Sequence, residues 1–165
     1  MYNAEYWIQH LKLEPLVEGG FYREIFRSNI EVENDILPIG YKGPRRLSTS
    51  IYYLLRSGDV SRFHRLRSDE LWYFHYGSSI RIILIDQEGN KHTMLLGPRV
   101  EKAEQLQVLV PAGSIFGAEV MEDNSYGLCG CMVSPAFEFS DFAVFEKEDL
   151  MQAYPRHAEL IKKFG

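Results

Sequence analysis

The stretch Gly58-Asp59-Val60-Ser61-Arg62-Phe63-His64-Arg65-Leu66-Arg67-Ser68-Asp69-Glu70-Leu71-Trp72-Tyr73-Phe74-His75-Tyr76-Gly77 opens as the densest polar cluster of the chain and ends as an aromatic run. If the second part is a strand, side chains alternate between two faces. Glu70, Trp72, Phe74 and Tyr76 then share one face, and Leu71, Tyr73 and His75 the other. A carboxylate among aromatic walls suits a ligand pocket, where a few polar groups orient a molecule held by apolar surface. The alternative is plainer: Glu70 pairs with Arg62, Arg65 or Arg67 at the rim of a β structure.

On both sides of this stretch, from Leu47 to about Phe145, short β-like runs follow one another: Ser50 to Leu55, Leu71 to Tyr76, Ile80 to Ile85, His92 to Leu96, Leu106 to Val110, Ile115 to Met121 and Gly127 to Val133. Asp86-Gln87-Glu88-Gly89-Asn90 is a hairpin loop, because Gly and Asn tolerate the positive φ of such turns. Strands at this spacing predict a sandwich or barrel. Upstream, Phe21 to Arg27 alternates bulky and charged residues as a half-buried strand would, and Asn29 to Arg46, with its Gly and Pro residues, reads as a long loop and candidate lid. Helices flank the β centre: one at about 3–12 with Asn3 as N-cap, then Lys147 to Ala153 and Pro155 to Phe164. No internal repeat or Gly/Ser-rich linker divides the chain, so a single domain over 1–165 is expected, with its β barrel at about 18–145.

Composition narrows the function classes. Eighteen basic and 23 acidic residues give a formal charge of -5, without the concentrated basic face that nucleic acid requires. The longest run free of polar side chains, Tyr126 to Val133, falls far short of the roughly 18 residues of a spanning helix. Neither nucleic acid nor membrane is an expected partner. The opening residues, with Glu5 and His10, do not read as a secretory signal, so a cytoplasmic location is expected. Cys129 and Cys131, two apart on a strand-like run, point to the same side and read as small buried side chains rather than as a metal knuckle.

Spacing adds more. Gly58, five residues, His64, one residue, Leu66, three residues, Glu70, six residues and Gly77 resembles the first motif of the cupin superfamily, G-x5-H-x-H-x3,4-E-x6-G, with Leu66 in place of one histidine. Pro111-Ala112-Gly113 resembles the core of the second motif, whose histidine falls on Phe116 and whose asparagine falls on Val120. The blocks Glu18 to Glu24, Leu47 to Leu55, Phe63 to Trp72 and Gly130 to Phe142 are similar to the fingerprint of the fifth cupin family, a branch of unknown function.

The resemblance implies an all-β double-stranded β-helix, a jelly-roll barrel like that of sugar-nucleotide epimerases, usually a homodimer, with its pocket in the barrel mouth. His64 and Glu70 would face inward as the catalytic pair, with His64 as a base. Metal-dependent cupins use three histidines and a carboxylate. Here two donors remain, too few for a typical catalytic site, so no cofactor is expected; a divalent metal, if bound, would sit on His64 and Glu70. Tyr22, Tyr53, Arg62, Trp72, Phe74, Gln107 and Phe116 are the expected ligand-binding residues, with Tyr22, Tyr52, Tyr53 and Tyr76 as candidate acids. Arg65 and Arg67 join Arg62 as candidate anion binders or rim ion pairs. His75 could reach the pocket only through a β-bulge. The reading is a cupin that binds a small polar metabolite, such as a sugar derivative, with metal-independent isomerase or epimerase chemistry. The alternatives are a metal-dependent enzyme with an incomplete ligand set and a noncatalytic binding module.

Overall fold

A computed structural model describes residues 2–165. In chain order its elements are α1 (Ala4–His10), β1 (Glu14–Pro15), β2 (Phe21–Arg27), β3 (Glu31–Val32), β4 (Arg45–Arg46), β5 (Thr49–Arg56), β6 (Val60–Leu66), β7 (Asp69–Gly77), β8 (Ile80–Ile85), β9 (Lys91–Leu96), β10 (Gln107–Val110), β11 (Ile115–Val120), β12 (Tyr126–Ser134), β13 (Phe142–Val144), α2 (Lys147–Ala153) and α3 (Ala158–Phe164). Two antiparallel sheets carry the fold. One has the order β1-β2-β5-β12-β7-β10 and the other β13-β6-β11-β8-β9.

The central strands β8, β11 and β12 are buried on both faces, and the period of two sorts their side chains into separate cores. In β8, Ile80, Ile82 and Leu84 point between the sheets, where they meet Trp72, Val108, Phe116, Cys129 and Cys131. Ile83 and Ile85 point the other way, and with Phe63 and Ile115 they pack under Leu150, Ile161 and Phe164 of the two C-terminal helices. On the outer face of the six-stranded sheet, α1 lays Trp7 and Ile8 against Leu54, Tyr126 and Leu128. Asn3 Oδ1 caps α1 by accepting from the Tyr6 amide at 2.9 Å. The jelly roll with flanking helices is therefore as the sequence predicts. Among the described residues no helix is long and apolar enough to cross a membrane.

Three local features depart from the sequence reading. The polar cluster before Glu70 is itself a strand, β6, because Phe63, His64 and Leu66 are all buried. The loop Asn29 to Arg46 contains the short ladder β3–β4 and is fastened down: the Tyr41 hydroxyl lies 2.8 Å from the Ser68 hydroxyl, and buried Arg45 bonds Asp141. Third, β7 bulges at His75, since Leu128 pairs with Tyr76 and the next residue, Cys129, with Phe74. The extra residue resets the alternation. Tyr76 leaves the inner face to stack on Tyr126 and pack at a tilt against Trp7, and His75 lies over Gly130 and Tyr52, outside the barrel.

Candidate functional site

His64 and Glu70 are six residues apart but lie on different sheets, because the chain passes from β6 to β7 through Arg67 and Ser68. Both side chains line one cavity of about 330 Å³ between the sheets, walled by Leu66, Cys131, Val133, Phe137 and Phe142. Each is nearly inaccessible, His64 at 4% and Glu70 at 7% exposure. None of Arg62, Arg65 or Arg67 pairs with Glu70. Arg62 donates to the Val17 carbonyl at 3.0 Å, Arg65 stacks over Phe145, and Arg67 pairs with Asp141 at 3.4 Å.

Burial without a counter-charge sets the protonation of the site. Desolvation pushes the Glu70 carboxyl up to about 8, with the nearby Trp72 indole and Cys131 thiol only partly opposing it. Among the described residues, Glu70 Oε2 and Trp72 Nε1 have no hydrogen-bond partner. Desolvation also lowers His64 to about 4, offset in part by its bond to the Arg62 carbonyl. That bond, Nδ1 to Arg62 O at 2.7 Å, fixes the tautomer: a carbonyl only accepts, so Nδ1 carries the proton and Nε2 keeps its lone pair. At neutral pH the cavity therefore holds an uncharged base and an uncharged acid.

A third ionisable group, Glu18, lies outside the site residues expected from the sequence, although it begins one of the fingerprint blocks. It lines the same cavity, and burial raises its carboxyl to about 7 against the opposing charge of Arg62. Its backbone is held by the Arg62 amide, which donates to Glu18 O at 2.7 Å. The next residue, Gly19, has φ +115, and a Cβ there would run into the Val60 carbonyl oxygen. The signal in the sequence is the Gly19-Gly20 pair, which lets the backbone turn tightly enough to deliver Glu18 inward.

The remaining expected ligand residues are scattered. Tyr22 lines the cavity. Tyr53, Trp72, Phe74 and Phe116 belong to the packed core beside it: Tyr53 donates to the Gly19 carbonyl at 2.8 Å and packs edge-on against Trp72. Gln107 is exposed, because β10 turns Val108 and Val110 inward and the alternate residues out. Arg62 is exposed too, carried outward where β6 holds one residue more than β11 between Ser61 and His64. Tyr52 and Tyr76 are on the outer side. Of the other histidines, His10 and His92 are exposed, and His157 bonds the Gly89 carbonyl. A wider crevice of about 620 Å³ runs outside, past Arg65 and Arg67, but its buried acid Asp141 is already committed to Arg45.

With this geometry in hand, the family match is specific. The family model described as "Cupin superfamily (DUF985)" matches residues 5–145. The chain belongs to this cupin family. A hypothetical protein from Leishmania major is 37% identical over 99% of both chains, with a TM-score of 0.91. A protein from Shewanella oneidensis is 45% identical, over 100% of this chain and 98% of its own, with a TM-score of 0.89. Oxalate decarboxylase from Bacillus subtilis is 19% identical over 92% of this chain and 36% of its own, with a TM-score of 0.55, and shares the fold alone. Comparison with curated proteins finds no match.

A cupin metal of the usual kind does not fit the donors present. The Phe116 ring stands 4.1 Å from that of His64, where the second motif would place a histidine, and Leu66 fills another ligand position. Among the described residues no three His, Cys, Asp or Glu side chains are grouped so as to hold a metal ion.

Proposed function

We propose that this cupin binds a small polar metabolite, such as a sugar derivative, in the barrel cavity and shifts a proton on it in an isomerase or epimerase reaction. The observation that carries the reading is the shared cavity of His64 and Glu70, whose burial leaves a neutral base and a neutral acid on facing sheets. Its volume, about 330 Å³, is at the small end of ligand pockets, which span roughly 300–1,000 Å³. His64 Nε2 takes the proton from a carbon next to a carbonyl while the Glu70 carboxyl gives its own to the carbonyl oxygen. The product is a neutral enediol between an imidazolium and a carboxylate. Returning a proton to the other face or the neighbouring carbon completes epimerisation or isomerisation.

Exchange with deuterated solvent tests this. Aldoses and ketoses incubated with the protein in D2O should lose the proton adjacent to the carbonyl, followed by NMR. Exchange should fall at least about 100-fold in His64→Ala, a typical contribution of a positioned base. The rate should be level between the two limbs set by His64, about 4, and Glu70, about 8: lost below as the imidazole protonates and above as the carboxyl ionises. No exchange on any sugar, or exchange that survives His64→Ala in a folded protein, overturns the reading.

We propose a homodimer as the working assembly. Along the edge of its sheet, β1 pairs only with Phe21 and Tyr22 of β2, leaving exposed Ile25 and Phe26 on a strand with a free edge. Light scattering at the monomer mass would refute it.

A further inference from the structure

The cavity contains more acid than the proton transfer needs. Glu18 and Glu70 both line it. Among the described residues Glu18 makes no salt bridge, and Glu70 Oε2 is buried without a partner. The cations nearby are spent elsewhere. Arg27, at the cavity wall, is held by Glu24 and Glu138 at 2.8 Å each, and Arg62 reaches the Val17 carbonyl. Four aromatic rings, Tyr22, Phe137, Phe139 and Phe142, line the same cavity.

Carboxyl groups without a salt bridge in a cavity also lined by aromatic rings are complementary to a positive ligand. A carboxylate attracts an ammonium by charge and hydrogen bonding, and ring faces attract it through their quadrupole. Resting on the ligand-binding part of the reading above, we infer that the ligand carries a primary ammonium group, paired with the Glu18 carboxylate and donating a second hydrogen bond to the free oxygen of Glu70. Glu70 accepts at that oxygen while its other oxygen keeps the proton used in catalysis. An amino sugar satisfies both demands, with its ring against the phenyl groups.

Binding then has a proton balance. Burial holds the free Glu18 carboxyl protonated up to about pH 7, so ammonium binding releases one proton from it to solvent. The affinity of benzylamine and cyclohexylamine, which stay protonated in this range, should rise between about pH 5.5 and 7.5 as Glu18 gives up its proton. Glu70, His64 and Cys131 face the same space, Glu24 and Arg27 stand at its wall, and Arg62 acts on Glu18 from outside. Replacing Glu18 alone should therefore remove the proton released on binding.

Thermal shift and titration calorimetry with benzylamine, cyclohexylamine and glucosamine, each against its uncharged counterpart benzyl alcohol, cyclohexanol or glucose, test this. The amines should stabilise the protein and bind at least tenfold more tightly than the alcohols. Glu18→Gln should erase that preference and make the heat of binding independent of buffer. Glu18→Asp, which keeps the charge, should restore part of the preference, separating lost charge from a damaged fold. Equal binding of amines and alcohols, no binding by any of them, or a preference that survives Glu18→Gln overturns the inference. Exchange on neutral sugars without amine preference sinks this inference and spares the acid–base reading. Amine preference without exchange does the reverse.

Discussion

The Arg45–Asp141 pair and the Glu18–His64–Glu70 cavity are both drawn out of solvent, and they handle charge in opposite ways. The side chains of Arg45 and Asp141 are 5% and 6% exposed, and nearly every polar atom has a partner. Arg45 Nε and Nη2 grip the two oxygens of Asp141, Nη2 also reaches the Ser140 hydroxyl, and Nη1 donates to the carbonyls of Lys42, Gly43 and Pro44. In the cavity, by contrast, neither Glu18 nor Glu70 forms a salt bridge among the described residues, and one oxygen of Glu70 bonds nothing. A buried charge with all its bonds made holds structure; buried acids left without partners leave room for something from outside to supply them.

The paired side should break hardest. Removing one member of a buried ion pair leaves the other charge uncompensated, typically about 3–5 kcal/mol. Asp141→Ala should therefore lower the unfolding free energy by about that amount in urea titrations, and it frees the loop holding Arg45 as well as the Arg67 guanidinium. A loss below about 1 kcal/mol would mean the pair is no more than a surface contact. Next comes the backbone that presents Glu18. Gly19→Ala forces a side chain to φ +115, a strain of about 1–3 kcal/mol before its clash with the Val60 carbonyl. The variant should unfold at lower denaturant and, where still folded, lose the amine preference along with Glu18→Gln. Unchanged stability would show that the turn before β2 adapts freely.

This contrast also separates what could be read from the sequence and what could not. Strand period and turn chemistry made the barrel legible: Ile80 to Ile85 and the Asp86 to Asn90 turn fall where the sequence puts them. The inward aim of His64 and Glu70 was legible through motif spacing. Glu18 was not, because nothing in a local pattern says which end of a glycine turn faces a cavity whose other walls come from distant parts of the chain. Tyr76 and Gln107 went astray for physical reasons of their own. One extra residue in β7 reverses every later side chain, and β10 presents its other face to the core. The partnership of Arg45 with Asp141 joins positions 96 apart, so neither residue announced the other.

The smallest effect should have the opposite sign. Glu70 titrates at about 8 in the fold against an ordinary 4.5, so the folded protein holds more protons than the unfolded chain between those values. The stability linked to this group is complete below about pH 4.5 and is lost as pH climbs through 8. His64, lowered from 6.5 to about 4, works the other way, but its influence ends above pH 6.5. Between about pH 6.5 and 8.5 the carboxyls of Glu70 and, at the lower end, Glu18 are left to pull the melting temperature down. Glu70→Gln removes the larger part of that slope, because an amide of nearly the same shape never ionises. At about pH 8.5 the variant should melt above the parent by at least about 2–4 °C, which is worth about 1 kcal/mol for a chain of this length. The gap should narrow as pH falls and close below about pH 4.5, where the carboxyl is neutral in the folded and the unfolded chain alike. The same substitution at Asp141 should destabilise at both pH values, since there the carboxylate is bonded to Arg45 rather than desolvated alone. If Glu70→Gln instead lowered the melting temperature at the higher pH, the ionised carboxylate would have to find a partner inside the barrel, and the contrast between the two buried clusters would collapse.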